Sequence, residues 1–151
     1  MWSWDADIHR KGQWSFLGHK QGHPTIFLRF LANIAASNYS HMVLPIPTTA
    51  IVGFKLLMRL HNEKRLDSQP EVVYLDSAHE QGETLIELVL AWETLASGGV
   101  LFGDDYSWPG VRHDVQQFAS SVSGACPGIK GLWVNDGPVL VWMNQWILCK
   151  V

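Results

Sequence analysis

The amino-acid sequence predicts a single α/β domain over residues 1–151, with a mostly parallel sheet, helices on both faces and an antiparallel C-terminal hairpin. Three observations lead to this fold class. Short apolar runs of strand length alternate with segments of helical periodicity, which is typical of β-α-β units. Two of these runs, residues 72–75 and 100–102, flank one amphipathic segment. Near the end of the chain, Asp136-Gly137 separates two further apolar runs and is a strong hairpin signal.

Composition and charge narrow the class of protein. The 151 residues suit one domain, and 47% hydrophobic with 17% charged residues is an ordinary globular composition. A net charge of −3 gives no electrostatic reason to expect a nucleic-acid partner. The sequence has no run of about 18 apolar residues, so no membrane partner is expected. Cys126 and Cys149 lack C-x-x-C spacing, which predicts isolated, reduced thiols and a cytoplasmic location.

The first part of the chain predicts a loop, two helices and a strand. Residues 1–23 show no regular period and are expected to form a long loop with a short strand at most. Apolar residues at helical spacing predict a helix over 24–37. The apolar stretch 41–47 predicts a strand that its two prolines end. A second helix is expected over 50–61, capped by one of the two threonines before it.

The second part predicts a β-α-β unit, a further helix and the closing strands. Residues 72–75 and 100–102 are expected to be buried parallel strands joined by a right-handed crossover. The helix between them is expected over 81–96, because two glycines follow it as a C-cap would. Another helix is expected over 109–122, with a proline in its first turn. The closing strands are expected at 132–135, 139–143 and 146–151.

Three carboxylates directly follow the two buried strands. Asp76 comes after the first strand, and Asp104 and Asp105 come after the second. Parallel strands end at one edge of a sheet, and ligands bind at that edge in open α/β sheets, so these side chains are expected to meet. Like charges so close together favour a cation among them, and Mg²⁺ prefers oxygen ligands. His79 is a candidate general base, because an unperturbed imidazole has a pKa of about 6.5.

Each of these residues also has an ordinary structural explanation. Asp76 is well placed to cap the helix that follows it. Asp104 and Asp105 are common turn formers before a helix, and His79 also suits a first helical turn. Carboxylates at two strand ends occur in phosphatases and other Mg²⁺-dependent hydrolases as well. The pattern of residue types alone therefore names no reaction.

The segment 71–111 resembles a known family. It contains Y-L-D-S-A-H-E, then a helix that ends L-A-S-G-G-V, then L-F-G-D-D-Y-S-W-P-G-V. This order is similar to that of the class I S-adenosylmethionine-dependent methyltransferases of the "methyltransferase domain 24" type, whose pattern is roughly I-D-x-x-H, a helix, L-x-P-G-G and D-D-Y. Upstream, Trp4-x-x-Asp7-x-His9 resembles the stretch after the second strand of that family. The likeness thus covers nearly the whole chain.

The resemblance implies a Rossmann-like fold and metal-assisted transfer of a methyl group from S-adenosylmethionine to a small hydroxylated acceptor. The Mg²⁺ ligands that it implies are Asp76, Asp104 and Asp105. The catalytic residues that it implies are His79 and Asp76, one of which would accept the proton of the hydroxyl. The cofactor-binding residues that it implies are Asp5, Asp76 and Ser77. Asp5 would substitute for the acidic residue that holds the cofactor ribose in the family.

The chain departs from the family at its N-terminal end. The family fold begins with a strand and a glycine-rich turn that cradles the cofactor, and no G-x-G occurs in this sequence. We therefore expect a fold that lacks this strand and turn: an N-terminally truncated form, or a chain that forms a homo-oligomer or rearranges to cover unpaired strand edges. Two other functions stay open, a non-catalytic binding or assembly module and a Mg²⁺-dependent hydrolase that uses the same carboxylates.

Overall fold

A computed structural model describes residues 19–20, 23–122, 126, 128–129, 131 and 133–151. These residues belong to two compact units, one within Trp4–Pro47 and one that contains Thr48–Val151. The predicted loop over 1–23 lies largely outside the described residues, and so does Asp5. All other candidate site residues belong to the Thr48–Val151 unit.

In the described part of the Trp4–Pro47 unit, the elements are a small antiparallel pair of strands and one helix. Strand β1 (His19–Lys20) pairs with β2 (His23–Pro24), and helix α1 (Ile26–Ala36) follows. The helix confirms the one predicted over 24–37. The strand predicted over 41–47 is wrong, because that stretch is irregular and leaves Met42 and Leu44 70% and 83% exposed. Apolar residues alone do not make a strand, because the backbone N–H and C=O groups also need a neighbouring strand, and residues 41–47 pair with none of the strands that the structure describes.

The Thr48–Val151 unit is built on a five-stranded mixed sheet in the order β3-β4-β7-β6-β5. Its strands are β3 (Val72–Leu75), β4 (Val100–Gly103), β5 (Val134–Asp136), β6 (Val139–Trp142) and β7 (Gln145–Cys149). The predicted parallel pair is confirmed, with Val72 opposite Val100 and Leu75 opposite Gly103. The other three pairings of this sheet are antiparallel. A mostly parallel sheet is therefore wrong: β7 returns antiparallel beside β4, and two successive hairpins complete the sheet.

Among the described residues of this unit there are three helices: α2 (Ala50–Asn62), α3 (Glu83–Thr94) and α4 (Pro109–Ser121). They confirm the helices predicted over 50–61, 81–96 and 109–122 to within two residues at each end. The Thr49 side chain accepts a hydrogen bond from the backbone N–H of Val52 at 3.4 Å, so it is the threonine that caps α2. Helix α3 contacts both α2 and α4.

The main core lies between the sheet and helices α3 and α4. Leu101 and Leu148 stand opposite each other on β4 and β7, and both are fully buried in one cluster with Leu88 of α3 and Val115 of α4. Successive strand residues point to opposite faces of a sheet. On β3, Leu75 faces this core, whereas Val72 is 61% exposed. The core therefore fixes the face and register of the two strands that precede the candidate carboxylates.

A disulfide joins Cys126 to Cys149, which are 23 residues apart in sequence and 4.9 Å apart at Cα. The prediction of two isolated, reduced thiols is wrong for this structure, because the sequence spacing did not reveal that the loop after α4 returns to the end of β7. Disulfides are typical of oxidising compartments. A cytoplasmic location therefore loses the support that free thiols would give it.

Among the helices in the described part of the chain, none combines the length and the apolar composition needed to cross a bilayer.

Candidate metal centre

The ends of β3 and β4 bring the candidate residues together at one edge of the sheet. Leu75 pairs with Gly103 at the last position of the parallel ladder, so Asp76 and Asp104 leave the sheet side by side. A Cβ atom on Gly103 would lie 2.5 Å from Cζ2 of Trp146 and 2.6 Å from the carbonyl oxygen of Leu75. Only glycine fits there, which is the close approach that glycine permits. The predicted common edge is thus present.

Asp76, His79 and Asp105 form the candidate metal centre. Each offers one ligand atom, and the three atoms all lie within 4.8 Å of one another. The Nε2 atom of His79 is 2.6 Å from Oδ2 of Asp105, and both side chains are largely shielded, at 20% and 30% exposure. Two carboxylates and one imidazole form a donor set that suits a divalent ion such as Mn²⁺, because an all-oxygen set is what Mg²⁺ prefers. The residues present therefore fit a divalent cation.

Asp104 contributes no atom to this group, and its side chain instead forms a hydrogen bond with the backbone of Asp105. Its Oδ1 atom accepts a hydrogen bond from the backbone N–H of Asp105 at 2.8 Å. The backbone carbonyl of Asp104 accepts another from the indole N–H of Trp146 at 3.2 Å. Asp105 has a positive φ of 59°, a left-handed conformation that is uncommon outside glycine. The structure thus unites two of the three predicted carboxylates with His79.

Asn144 is a site residue that the sequence did not reveal. It lies between β6 and β7, and its side-chain amide donates to Oδ1 of Asp105 at 3.1 Å. The Asn144 side chain also accepts a hydrogen bond from the backbone N–H of Ser107 at 2.8 Å. The backbone carbonyl of Asn144 accepts another from the backbone N–H of Tyr106 at 2.9 Å. These contacts hold the turn that carries Asp105. The sequence offers no signal for them, since the two residues are 39 positions apart.

An aromatic side chain and an ion pair lie beside the centre. The Trp108 ring is 5.1 Å from the His79 ring, and Trp108 is 36% exposed. Asp136 accepts hydrogen bonds from the Tyr106 hydroxyl at 3.0 Å and from the Arg112 guanidinium at 2.7 Å. Burial, followed by the hydrogen bond to Asp136, raises the pKa of Tyr106. These contacts tie the β5–β6 hairpin to the residue that follows Asp105.

Two side-chain hydrogen bonds connect the turn over residues 76–79 to helix α3. The Ser77 hydroxyl donates to the carboxylate of Glu87, and the Thr84 hydroxyl donates to the carbonyl of Ala78 at 2.9 Å. Both Thr84 and Glu87 are buried. A cavity with room for about one water lies beside these contacts, and its lining includes Ser77, Glu87 and Asp104.

The negative charge of the three aspartates at this edge also affects Tyr74 on β3. Burial, followed by the charges of Asp76, Asp104 and Asp105, raises the pKa of the Tyr74 phenol. A cation at the edge would offset that charge.

The cofactor side of the site has less support than the metal side. Of the three residues predicted to bind S-adenosylmethionine, Asp5 lies outside the described residues. Ser77 directs its hydroxyl to the buried Glu87, and Asp76 is exposed at the edge. The Ser77 hydroxyl is thus engaged with the protein itself, and the sequence contains no G-x-G turn.

Neither a comparison with protein-family models nor one with curated proteins finds a match to this chain.

Proposed function

We propose that this chain binds a divalent metal ion through Asp76, His79 and Asp105 and serves in metal-assisted O-methyl transfer to a small hydroxylated acceptor. The convergence of these three ligand atoms within 4.8 Å carries the proposal. They meet at the carboxyl edge of a parallel strand pair, which is where open α/β sheets bind ligands. The similarity of segment 71–111 to the methyltransferase domain 24 pattern supplies the reaction class.

Each residue of the proposed site would have its own role in methyl transfer. A bound divalent ion would lower the pKa of an acceptor hydroxyl, as metal ions do for bound water. Asp76 is the most exposed of the three ligands and lies nearest to the solvent from which an acceptor arrives. His79 would hold the metal ion through one ring nitrogen, and the contact of the other with Asp105 fixes the ring. Asp76, whose carboxylate has a second oxygen, would accept the proton of the hydroxyl. Trp108 forms an apolar wall beside it.

Metal-assisted hydrolysis is the second candidate, and one contact favours it. The Ser77 hydroxyl is engaged with Glu87, so it is not directed toward a cofactor. A hydrolase would need only the metal and a bound water, both of which the Asp76, His79 and Asp105 group suits. The two candidates differ in their need for S-adenosylmethionine.

Calorimetric titration with Mn²⁺, Mg²⁺ and S-adenosylhomocysteine separates these functions. Binding of a metal ion and of S-adenosylhomocysteine supports methyl transfer. Binding of the metal ion alone supports hydrolysis, and a non-catalytic binding or assembly module is supported if neither ligand binds. An Asp67→Asn variant is the matched control, because Asp67 is an exposed carboxylate that contributes nothing to the site. Equal loss of metal binding in this control and in Asp105→Asn would contradict the assignment.

A further inference from the structure

Glu87 is a buried carboxylate that the metal group does not use. It lies on α3 and is only 7% exposed. Its carboxylate accepts a hydrogen bond from the Ser77 hydroxyl, and within the described ranges no Lys or Arg forms an ion pair with it. Burying a carboxylate without a cationic partner is energetically unfavourable, because the charged group loses its hydration. An apolar side chain would pack at this position without that cost, so the carboxylate calls for a functional explanation.

The residue that Glu87 contacts, Ser77, lies between the proposed metal ligands Asp76 and His79 in the sequence. Ser77 follows Asp76 and lies two residues before His79, so its side chain anchors the short stretch that carries both ligands. One turn earlier on the same helix, Thr84 anchors the carbonyl of Ala78. Metal ligands need partners that orient them, and those partners are a regular part of a metal site.

We propose that Glu87 is a positioning residue of the metal centre and acts through Ser77. Its carboxylate fixes the Ser77 hydroxyl and thereby sets the spacing between the ligand atoms of Asp76 and His79. This inference rests on the proposed metal binding at Asp76, His79 and Asp105. It adds that metal affinity depends on the hydrogen bond between Ser77 and Glu87, although neither residue is a metal ligand.

A purely structural role for Glu87 would give different results. The Ser77 contact would then add only to the stability of the fold, and metal affinity under native conditions would not follow it. A positioning role instead makes the effects of Ser77 and Glu87 on metal affinity interdependent, because the two side chains act through one hydrogen bond.

The test is a Mn²⁺ titration of the full chain, followed by the electron paramagnetic resonance signal of free Mn²⁺. Glu87→Ala and Ser77→Ala each remove the hydrogen bond from one side, and each is expected to weaken Mn²⁺ binding by roughly 10- to 100-fold. The double variant is expected to bind no more weakly than the weaker single variant. Glu87→Gln keeps an acceptor for Ser77 and is expected to bind within about threefold of wild type. Glu83→Ala, an exposed change on the same helix, is the matched control.

Each result decides between the possibilities. Unchanged Mn²⁺ affinity in both alanine variants would overturn the inference, as would multiplied losses in the double variant or a Glu87→Gln loss as large as that of Glu87→Ala. If Glu87→Ala does not fold, Ser77→Ala and Glu87→Gln carry the same test, because both retain most of the side-chain volume. Failure of the wild-type chain to bind Mn²⁺ would overturn the proposed metal function as well, which makes the two failures distinguishable.

Discussion

Helix α3 begins with a capping group supplied by another helix. Gly82 occupies the N-cap position and has no side chain to accept the first backbone N–H groups. Asp114 of α4 takes this role: its Oδ2 atom accepts from the N–H groups of Gly82 at 2.6 Å and of Leu85 at 3.0 Å. Asp114 is fully buried. Its other carboxylate oxygen lies 3.0 Å from Nδ1 of His113.

Replacement of Asp114 by Ala is therefore expected to be severely destabilising. Hydrogen bonds to a charged group contribute about 1.5–3 kcal/mol each, so the loss of both should lower the free energy of unfolding by roughly 3–6 kcal/mol. Asp114→Asn keeps one oxygen in the position of Oδ2 and loses mainly the charge at the helix N-terminus. That loss is expected to cost about 1–2 kcal/mol.

Urea denaturation followed by circular dichroism measures these differences. Gln117→Ala is the matched control, because Gln117 is an exposed residue of the same helix and the two N–H groups donate to Asp114 instead. Its expected cost is below about 0.5 kcal/mol. A cost under 1 kcal/mol for Asp114→Ala, or equal costs for the Ala and Asn variants, would refute the capping role of Asp114.

Three further predictions concern stability and the support of the site. Burial raises the pKa of Glu87 above its usual 4.5, so the folded chain holds its proton at higher pH than the unfolded chain and stability falls as pH rises above that value. Glu87→Gln should therefore gain stability relative to wild type as the pH rises from about 4 toward neutrality in urea titrations; a pH-independent difference would contradict this. A Cβ on Gly110 would lie 2.5 Å from the His79 carbonyl oxygen, so Gly110→Ala should cost about 1–3 kcal/mol in urea unfolding and weaken Mn²⁺ binding. Gly53→Ala is its control, since it meets its nearest atom at 3.6 Å, and an equal cost in both would contradict the clash. Replacing both disulfide cysteines by serine should cost about 3 kcal/mol in urea unfolding, given their separation of 23 residues, and a cost near zero would contradict the link.

The strands and helices that lead to the site were predictable because their sequence signals are local. The apolar runs that became β3 and β4 are short and end at polar residues, and the helix between them ends at two glycines. Their parallel pairing followed from that order of elements. Because parallel strands end at one edge of the sheet, the proximity of Asp76 to the residues after β4 was predictable as well.

The identity of the metal ligands was less predictable, because it depends on backbone geometry and distant contacts. Asp104 and Asp105 are adjacent and chemically alike, and the left-handed φ of Asp105 decides which of them faces His79. Asn144 holds Asp105 in place from 39 residues away. No local pattern specifies either feature.

The mixed strand order of the sheet was hard to predict for the same reason: it depends on contacts between distant parts of the chain. The C-terminal strands were predicted, but their order in the sheet was not. Strand β7 pairs with β4 through residues such as Leu148 and Leu101, and this choice depends on burial in the shared core. The disulfide at Cys149 also depends on that placement.

Comparison of Asp105→Asn with Asp104→Asn in Mn²⁺ titrations tests the proposed metal centre most directly. The wild-type chain is expected to bind one Mn²⁺ ion. Asp105→Asn should weaken that binding by at least about tenfold, because it removes a charged ligand. Asp104→Asn keeps an acceptor for the Asp105 backbone N–H and should bind within about threefold of wild type. Loss of binding in Asp104→Asn but not in Asp105→Asn, or a wild-type chain that binds no Mn²⁺, would contradict the Asp76, His79 and Asp105 site.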